Sequence, residues 1–182
     1  MAIAATGFYI AGKYILPQIV GSTDLAAEIP QAVPGQSLLG RRAPNFALSD
    51  LAGDRTALSQ YYGAPAIVTF WATWSADAAD QVKILDDYAR NDSEQARLVN
   101  VVAIDSQEDP SIVASFMERG GYGTKALLDP FGEASSRYDV KGLPTTYFIS
   151  RDGAVKEIYA GILSERVLVE KVDNLLKQST VQ

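Results

Sequence analysis

The chain has no cysteine among its 182 residues, and this absence removes a whole class of chemistry. Without a thiol, the protein can form no disulfide bond, no thiolate nucleophile and no iron–sulfur cluster ligand. The usual inference from cysteine content to redox compartment is also lost. Any catalysis must therefore rest on other groups.

Histidine is absent as well, which excludes Ser-His-Asp relays and His-ligated metal sites. The formal net charge is −6 and no long basic run occurs. Because phosphate binding needs clustered Lys and Arg, nucleic acid is not expected as a partner. Carboxylates, Lys, Tyr, Ser and Thr remain as reactive groups, and we predict neither a cofactor nor a metal site.

The first 20 residues are apolar except for Lys13. A membrane-spanning helix needs about 20 mostly apolar residues, so this segment has marginal length, and Lys13 and Pro17 count against it. Two interpretations stay open. The segment is a helical membrane anchor or the remnant of one, or it is a helix that packs against the domain or a partner subunit.

Residues 21–40 predict a linker, because Pro30, Pro34 and Gly35 interrupt any continuous helix. The globular domain is expected to occupy residues 41–182. Within this domain, short apolar runs that suit buried strands alternate with segments whose apolar residues recur at helical spacing. The predicted strands lie at 66–72, 98–105, 145–150 and 154–161, and the predicted helices at 75–90, 109–121 and 164–177. This order predicts an α/β fold with a central mixed sheet and helices on both faces.

The segment WATWSADAAD, residues 71–80, carries an aromatic strand end into a helix start. Ser75 suits a helix N-cap, and Asp77 and Asp80 place negative charge in the first turns, where the helix dipole favours it. Capping alone accounts for these residue types. A second interpretation, compatible with the first, is an acidic docking patch beside an exposed Trp74.

Three ordered segments give the chain its resemblance to a known family: RAPNFALSDLAG at 42–53, VTFWATW at 68–74 and LLDPFGEASSRYDVKGLPTTYFISRDG at 127–153. With these segments, residues 41–178 resemble the TlpA/ResA-type thiol–disulfide oxidoreductases of the thioredoxin fold. The resemblance implies a domain outside the cytoplasm that is usually anchored to a membrane.

The family places Trp-Cys-x-x-Cys at the start of the first domain helix, where the helix dipole stabilises a thiolate. At the two cysteine positions this chain has Ser75 and Ala78. A serine hydroxyl does not ionise near neutral pH in such a place, and no histidine is present to act as its base. Thiol–disulfide exchange from this site is therefore excluded.

The positions that support the cysteines also depart from the family pattern. The resemblance implies proline, an acid and a second proline where this chain has Asp77, Gln81 and Lys83, and a polar Asp or Asn at the strand position of Thr69. Change at so many positions favours a natural pseudo-site over removal of two cysteines by engineering.

The segment KGLPTTYF, residues 141–148, corresponds to the loop that carries a cis proline in the thioredoxin fold. The resemblance implies that Leu143–Pro144 is cis and lies against Ser75. Alternatively, Pro144 only shapes the start of a strand. If a groove for extended polypeptide persists, its walls are expected to be Trp71, Trp74, Leu143, Pro144 and Thr145.

Asp105, Glu108 and Asp109 follow a predicted strand closely. Oxygen ligands of this kind suit a hard cation, but their spacing matches no calcium loop. Capping and a solvated loop are therefore the preferred interpretation.

Three functions remain from the sequence. The favoured one is a redox-inactive, thioredoxin-like protein that acts by binding, as an accessory or structural subunit of a membrane-associated complex. The second is an extracytoplasmic thiol–disulfide oxidoreductase in cysteine-free form. The third is a chaperone-like module that holds extended polypeptide beside Pro144.

Overall fold

The computed structural model describes residues 36–178. The predicted N-terminal helix at 1–20 and most of the predicted linker lie outside these residues. Among the described helices, none combines the length and the apolar character that crossing a bilayer requires.

One seven-stranded sheet organises the described chain. Its strands are β1 (Ala47–Asp50), β2 (Arg55–Ala57), β3 (Ala66–Trp71), β4 (Asn100–Ser106), β5 (Ala126–Asp129), β6 (Thr145–Ile149) and β7 (Val155–Ala160). The spatial order is β2-β1-β5-β4-β3-β6-β7. Strands β3, β4 and β5 are parallel, whereas β1, β6 and their outer neighbours pair antiparallel. The sheet is therefore mixed, as predicted.

The helices are α1 (Ala78–Ala89), α2 (Glu94–Arg97), α3 (Pro110–Gly120), α4 (Glu133–Arg137) and α5 (Glu165–Gln178), with short 3₁₀ turns at Gln36–Leu38 and Leu58–Tyr61. Alternate residues of β3 face opposite sides of the sheet. Val68 and Phe70 pack with residues of α4, whereas Ile67 and Trp71 pack with residues of α1, α3 and α5. Helices therefore cover both faces.

The folded unit begins before residue 41, so the predicted linker boundary is a few residues too late. The backbone N–H of Gly40 donates to the carbonyl of Val155 at 2.8 Å. Leu39 pairs with Val155 as an isolated bridge, and Leu38 packs against the core. These contacts attach residues 38–40 to strand β7.

Candidate functional site

Ser75 lies in the turn between β3 and α1, at the end of the sheet where the parallel strands terminate. The sequence predicted a helix that begins at Ser75, but α1 begins three residues later, at Ala78. Asp77 is the N-cap residue, and its side chain makes no capping hydrogen bond. The Ser75 hydroxyl instead donates to the carbonyl oxygen of Leu143 at 3.2 Å. The capping role assigned to Ser75 is therefore wrong.

The Leu143–Pro144 peptide bond is cis. The Pro144 carbonyl accepts a hydrogen bond from the N–H of Gly161 at 2.8 Å, and Leu143 is half-buried. The proline loop is thus held from two sides, by the Ser75 turn through Leu143 and by the end of β7 through Pro144.

Two of the predicted groove walls are buried in the core and cannot form a surface. Trp71 has no exposed area and packs against Phe116, with ring centroids 5.2 Å apart. Thr145 is equally buried, and its hydroxyl donates to the Gly142 carbonyl at 2.7 Å. Trp71 points inward because it lies within β3, on the face that α1 and α3 cover.

The exposed part of the site is smaller than predicted. Trp74 has 70% of its surface accessible, whereas tryptophan side chains are highly buried on average. Asp77 and Leu143 are half-buried, whereas Pro144 is buried like Trp71 and Thr145. The three accessible residues, Trp74, Asp77 and Leu143, are called the Trp74 surface below.

Neutral groups occupy the supporting positions behind the turn. The hydroxyl groups of Thr69 and Thr146 share a buried hydrogen bond of 3.0 Å. The Gln81 side chain is fully buried, and its carbonyl oxygen accepts from the N–H of Leu163 at 2.9 Å. The Thr69 hydroxyl and the Gln81 carbonyl oxygen are used in structural hydrogen bonds, whereas the Gln81 amide nitrogen is buried without a partner in the described part of the chain. Neither neutral side chain supplies a base for proton transfer to Ser75.

Glu108 fixes the residue that precedes Trp74, a contact that the sequence did not reveal. Its carboxylate accepts from both the backbone N–H and the hydroxyl of Thr73, the latter at 2.6 Å. A spacing of 35 residues separates the two partners, so only the adjacent ends of β3 and β4 bring them together.

Asp105 is buried at the end of β4, contrary to the predicted solvated loop. It has no exposed surface, and neither carboxyl oxygen has a well-formed hydrogen bond to the described residues. Burial, followed by the neighbouring Glu108 carboxyl group and the charge of Asp129, raises the pKa of Asp105 to about 8. Asp109 does act as predicted, because its side chain caps α3 by accepting from the N–H of Ser111.

No group of three or more acidic side chains within residues 36–178 is arranged to hold a metal ion. The acidic residues at the end of β4 and just after it have separate roles: Asp105 is a buried acid, Glu108 binds Thr73 and Asp109 caps α3.

The sequence model of the AhpC/TSA family matches residues 39–158. The thiol-disulfide oxidoreductase ResA of Bacillus subtilis is 30% identical over 138 residues, which are 76% of this chain and 75% of the relative. The thioredoxin-like protein YneN of the same organism is 24% identical over 134 residues, 74% of this chain and 78% of the relative.

Solved structures share the architecture. A secreted Mycobacterium tuberculosis disulfide oxidoreductase superposes with a TM-score of 0.62 at 23% identity, covering 71% of this chain and 96% of that one. The exposed lipoprotein thioredoxin of Streptococcus pneumoniae gives 0.65 at 22% identity, covering 72% and 100%. These matches confirm the thioredoxin fold predicted from the sequence.

Proposed function

The chain belongs to the AhpC/TSA family, and we propose that within it the chain is a redox-inactive, thioredoxin-like protein that acts by binding a protein partner. One observation carries the proposal. The cysteine positions hold Ser75 and Ala78 in a chain without any thiol, while Ser75 still contacts the cis-proline loop. The scaffold of the site is kept and its chemistry is missing.

The surroundings of Ser75 support a non-catalytic role. Its hydroxyl is a hydrogen-bond donor to the Leu143 carbonyl, and the two supporting positions behind the turn, Thr69 and Gln81, hold neutral side chains. A serine nucleophile needs a group that takes its proton during attack. Neither of these two side chains can take that proton, and the observed acceptor of the hydroxyl is a backbone carbonyl.

The Trp74 surface is the proposed contact with the partner. Exposed aromatic side chains are enriched at the centres of protein interfaces because they bury a large area at low entropic cost. Trp74 is exposed and adjoins Ser75, whose hydroxyl contacts the half-buried Leu143, and Asp77 adds one negative charge three residues after Trp74. A partner segment with an apolar residue and a nearby cation complements this arrangement.

We further propose that the domain lies outside the cytoplasm as an accessory subunit of a membrane-associated complex. Residues 1–20 are the proposed attachment. A fold relative is an exposed lipoprotein and another is a secreted protein, which supports the location. The full chain is expected to partition into detergent micelles, and a truncated chain starting at Gln36 is expected to lose this partition. Equal partition of the two would refute the anchor.

Site-specific photo-crosslinking tests the binding role. A benzophenone amino acid replaces Trp74 in the full chain, and crosslinking is carried out in native membranes. We expect one dominant adduct. A matched control carries the same group at Leu98, which is 51% exposed and precedes β4, at the opposite end of the sheet from Trp74. Equal adducts from both positions, or none from position 74, would contradict the proposal.

A disulfide-reduction assay separates this function from the oxidoreductase alternative. The chain is expected to give no reduction of insulin disulfides with dithiothreitol above the rate of the reagent alone. Measurable turnover would overturn redox inactivity. Cysteine codons at positions 75 and 78 of the native gene would instead favour the alternative, an oxidoreductase in cysteine-free form.

A further inference from the structure

Asp105 and Glu108, called the acid pair below, lie next to each other where β4 ends. Glu108 is engaged as an acceptor, because the Thr73 N–H and hydroxyl both donate to it. A carboxylate accepts two such bonds best in its ionised form. Asp105 is fully buried, and neither of its carboxyl oxygens has a hydrogen-bond partner in the described part of the chain. A buried carboxyl group without partners, close to the Glu108 carboxylate, keeps its proton.

No basic group in the described surroundings of Asp105 would neutralise its negative charge if the proton were lost. Its register partners on the adjacent strands are Trp71 on β3 and Leu128 on β5. The titratable groups that act on its pKa are Glu108 and Asp129, both acidic, and only the Glu108 backbone N–H acts in the opposite direction. Within residues 36–178 no Lys or Arg forms an ion pair with Asp105.

Loss of the proton from Asp105 would leave two neighbouring negative charges, one of them fully buried. Such an arrangement is strongly unfavourable. Asp105 is fully buried within a strand, whereas Glu108 is half-buried in the loop that follows. Glu108 is therefore the side chain that can move towards solvent. Its movement breaks both bonds to Thr73, which is adjacent to Trp74 in the chain.

We propose that the acid pair is a proton-controlled latch on the Trp74 surface: with the proton on Asp105, Glu108 holds Thr73 and the turn is fixed, and without it the turn is released. This inference rests on the proposed function, because it assigns regulation to the proposed binding surface. The partner is expected to bind more weakly in alkaline than in neutral medium, since a released turn must be ordered again on binding.

Nuclear magnetic resonance of the full ¹³C,¹⁵N-labelled chain tests the latch without any partner. The pH is varied from about 5 to 10, a range that brackets the raised pKa. We expect the Asp105 carboxyl carbon to titrate with a midpoint of about 8. The Thr73 amide and the Trp74 indole resonances are expected to shift with the same midpoint.

Three variants complete the test. Asp105→Asn keeps the side chain neutral at every pH, so the pH dependence at Thr73 and Trp74 is expected to vanish. Asp92→Asn makes the same change at an exposed aspartate and should leave the pH dependence at Thr73 and Trp74 unchanged. Glu108→Gln removes the neighbouring charge and should lower the Asp105 midpoint, an effect that is readable even if Asp105→Asn fails to fold.

An Asp105 midpoint near the ordinary value of about 4 would overturn the latch. Unchanged titration of Trp74 in Asp105→Asn would overturn it too. Either result leaves the crosslinking outcome at position 74 standing. Conversely, failure of crosslinking near neutral pH refutes the binding role but leaves the titration intact, so the two proposals fail separately.

Discussion

At the scale of single residues, two buried tyrosines make unequal contributions to the core. The rings of Tyr138 and Tyr147 meet edge to face, with centroids 4.9 Å apart. The Tyr147 hydroxyl donates to the backbone carbonyl of Tyr138 at 2.6 Å, whereas the Tyr138 hydroxyl is buried without a partner in the described part of the chain. Burial raises the pKa of both far above the ordinary range, so both stay neutral.

Removing these hydroxyl groups is expected to have opposite consequences. Tyr147→Phe loses a buried hydrogen bond and should cost about 1–2 kcal/mol of unfolding free energy. Tyr138→Phe removes only an unpaired polar group and should be neutral or slightly stabilising. Urea denaturation of the two variants measures the difference. A larger loss for Tyr138→Phe would show that its hydroxyl has a partner.

Asp105 also makes stability depend on pH. Its pKa is raised to about 8 in the folded state, so the folded protein binds a proton more tightly than the unfolded chain does. The resulting stability is fully present below the unfolded pKa of about 4 and is lost as the pH rises through about 8. The free energy of unfolding should therefore fall between about pH 5 and 9, and Asp105→Asn should flatten this fall. Asp92→Asn provides the control, and an equal slope in all three proteins would contradict the assignment.

At the scale of elements, strongly patterned segments could be predicted and the connections between them could not. The apolar run at 66–72 became β3, and Asp109 with Pro110 marked the start of α3. Helix α4 and strand β5 have only five and four residues, too few to show a period. The contact of Glu108 with Thr73 joins distant parts of the chain, which local spacing cannot show.

The late start of α1 was also not predictable, and it affects any attempt to restore redox chemistry. The dipole effect of a helix is confined to its first turn. Position 75 lies three residues before Ala78, where α1 begins, and Asp77 lies between them. In the double variant Ser75→Cys with Ala78→Cys, the thiol at position 75 is therefore expected to have a pKa close to the ordinary value of about 8.5. Its thiol–disulfide exchange is expected to be slow.

Iodoacetamide alkylation rates across pH measure that thiol pKa. Adding Asp77→Asn to the double variant should lower it, because a repelling carboxylate is removed. A first thiol with a pKa well below the ordinary value in the double variant itself would show that the turn still activates a thiol.

At the scale of the whole molecule, the described domain is closed by residues ahead of its first strand. Leu38 packs against the core, and Gly40 and Arg41 exchange backbone hydrogen bonds with Val155 on the edge strand β7. Covering an edge strand in this way protects its open backbone groups from pairing with other chains. Residues 38–41 thus contribute to stability and shield the start of β7.

A matched pair of substitutions tests this closure. Leu38→Ala should lower the free energy of unfolding by about 1–2 kcal/mol, because it removes apolar surface from the core. Leu39→Ala, at a neighbouring side chain that is 44% exposed, should change it by less than about 0.5 kcal/mol. Thermal or urea unfolding gives both values. Equal losses would show that the packing of Leu38 against the core is not what stabilises this part of the domain.

The hydrogen bond from Ser75 to Leu143 also uses a backbone acceptor of the proline loop. In the peptide-holding alternative, an extended chain would pair with the proline loop at the Leu143 carbonyl, which already accepts a hydrogen bond from the Ser75 hydroxyl. In that alternative the hydroxyl competes with the incoming strand for one of the two lone pairs of the carbonyl. Replacing Ser75 with Ala should remove this competition and tighten strand capture by about fivefold, the equivalent of one neutral hydrogen bond.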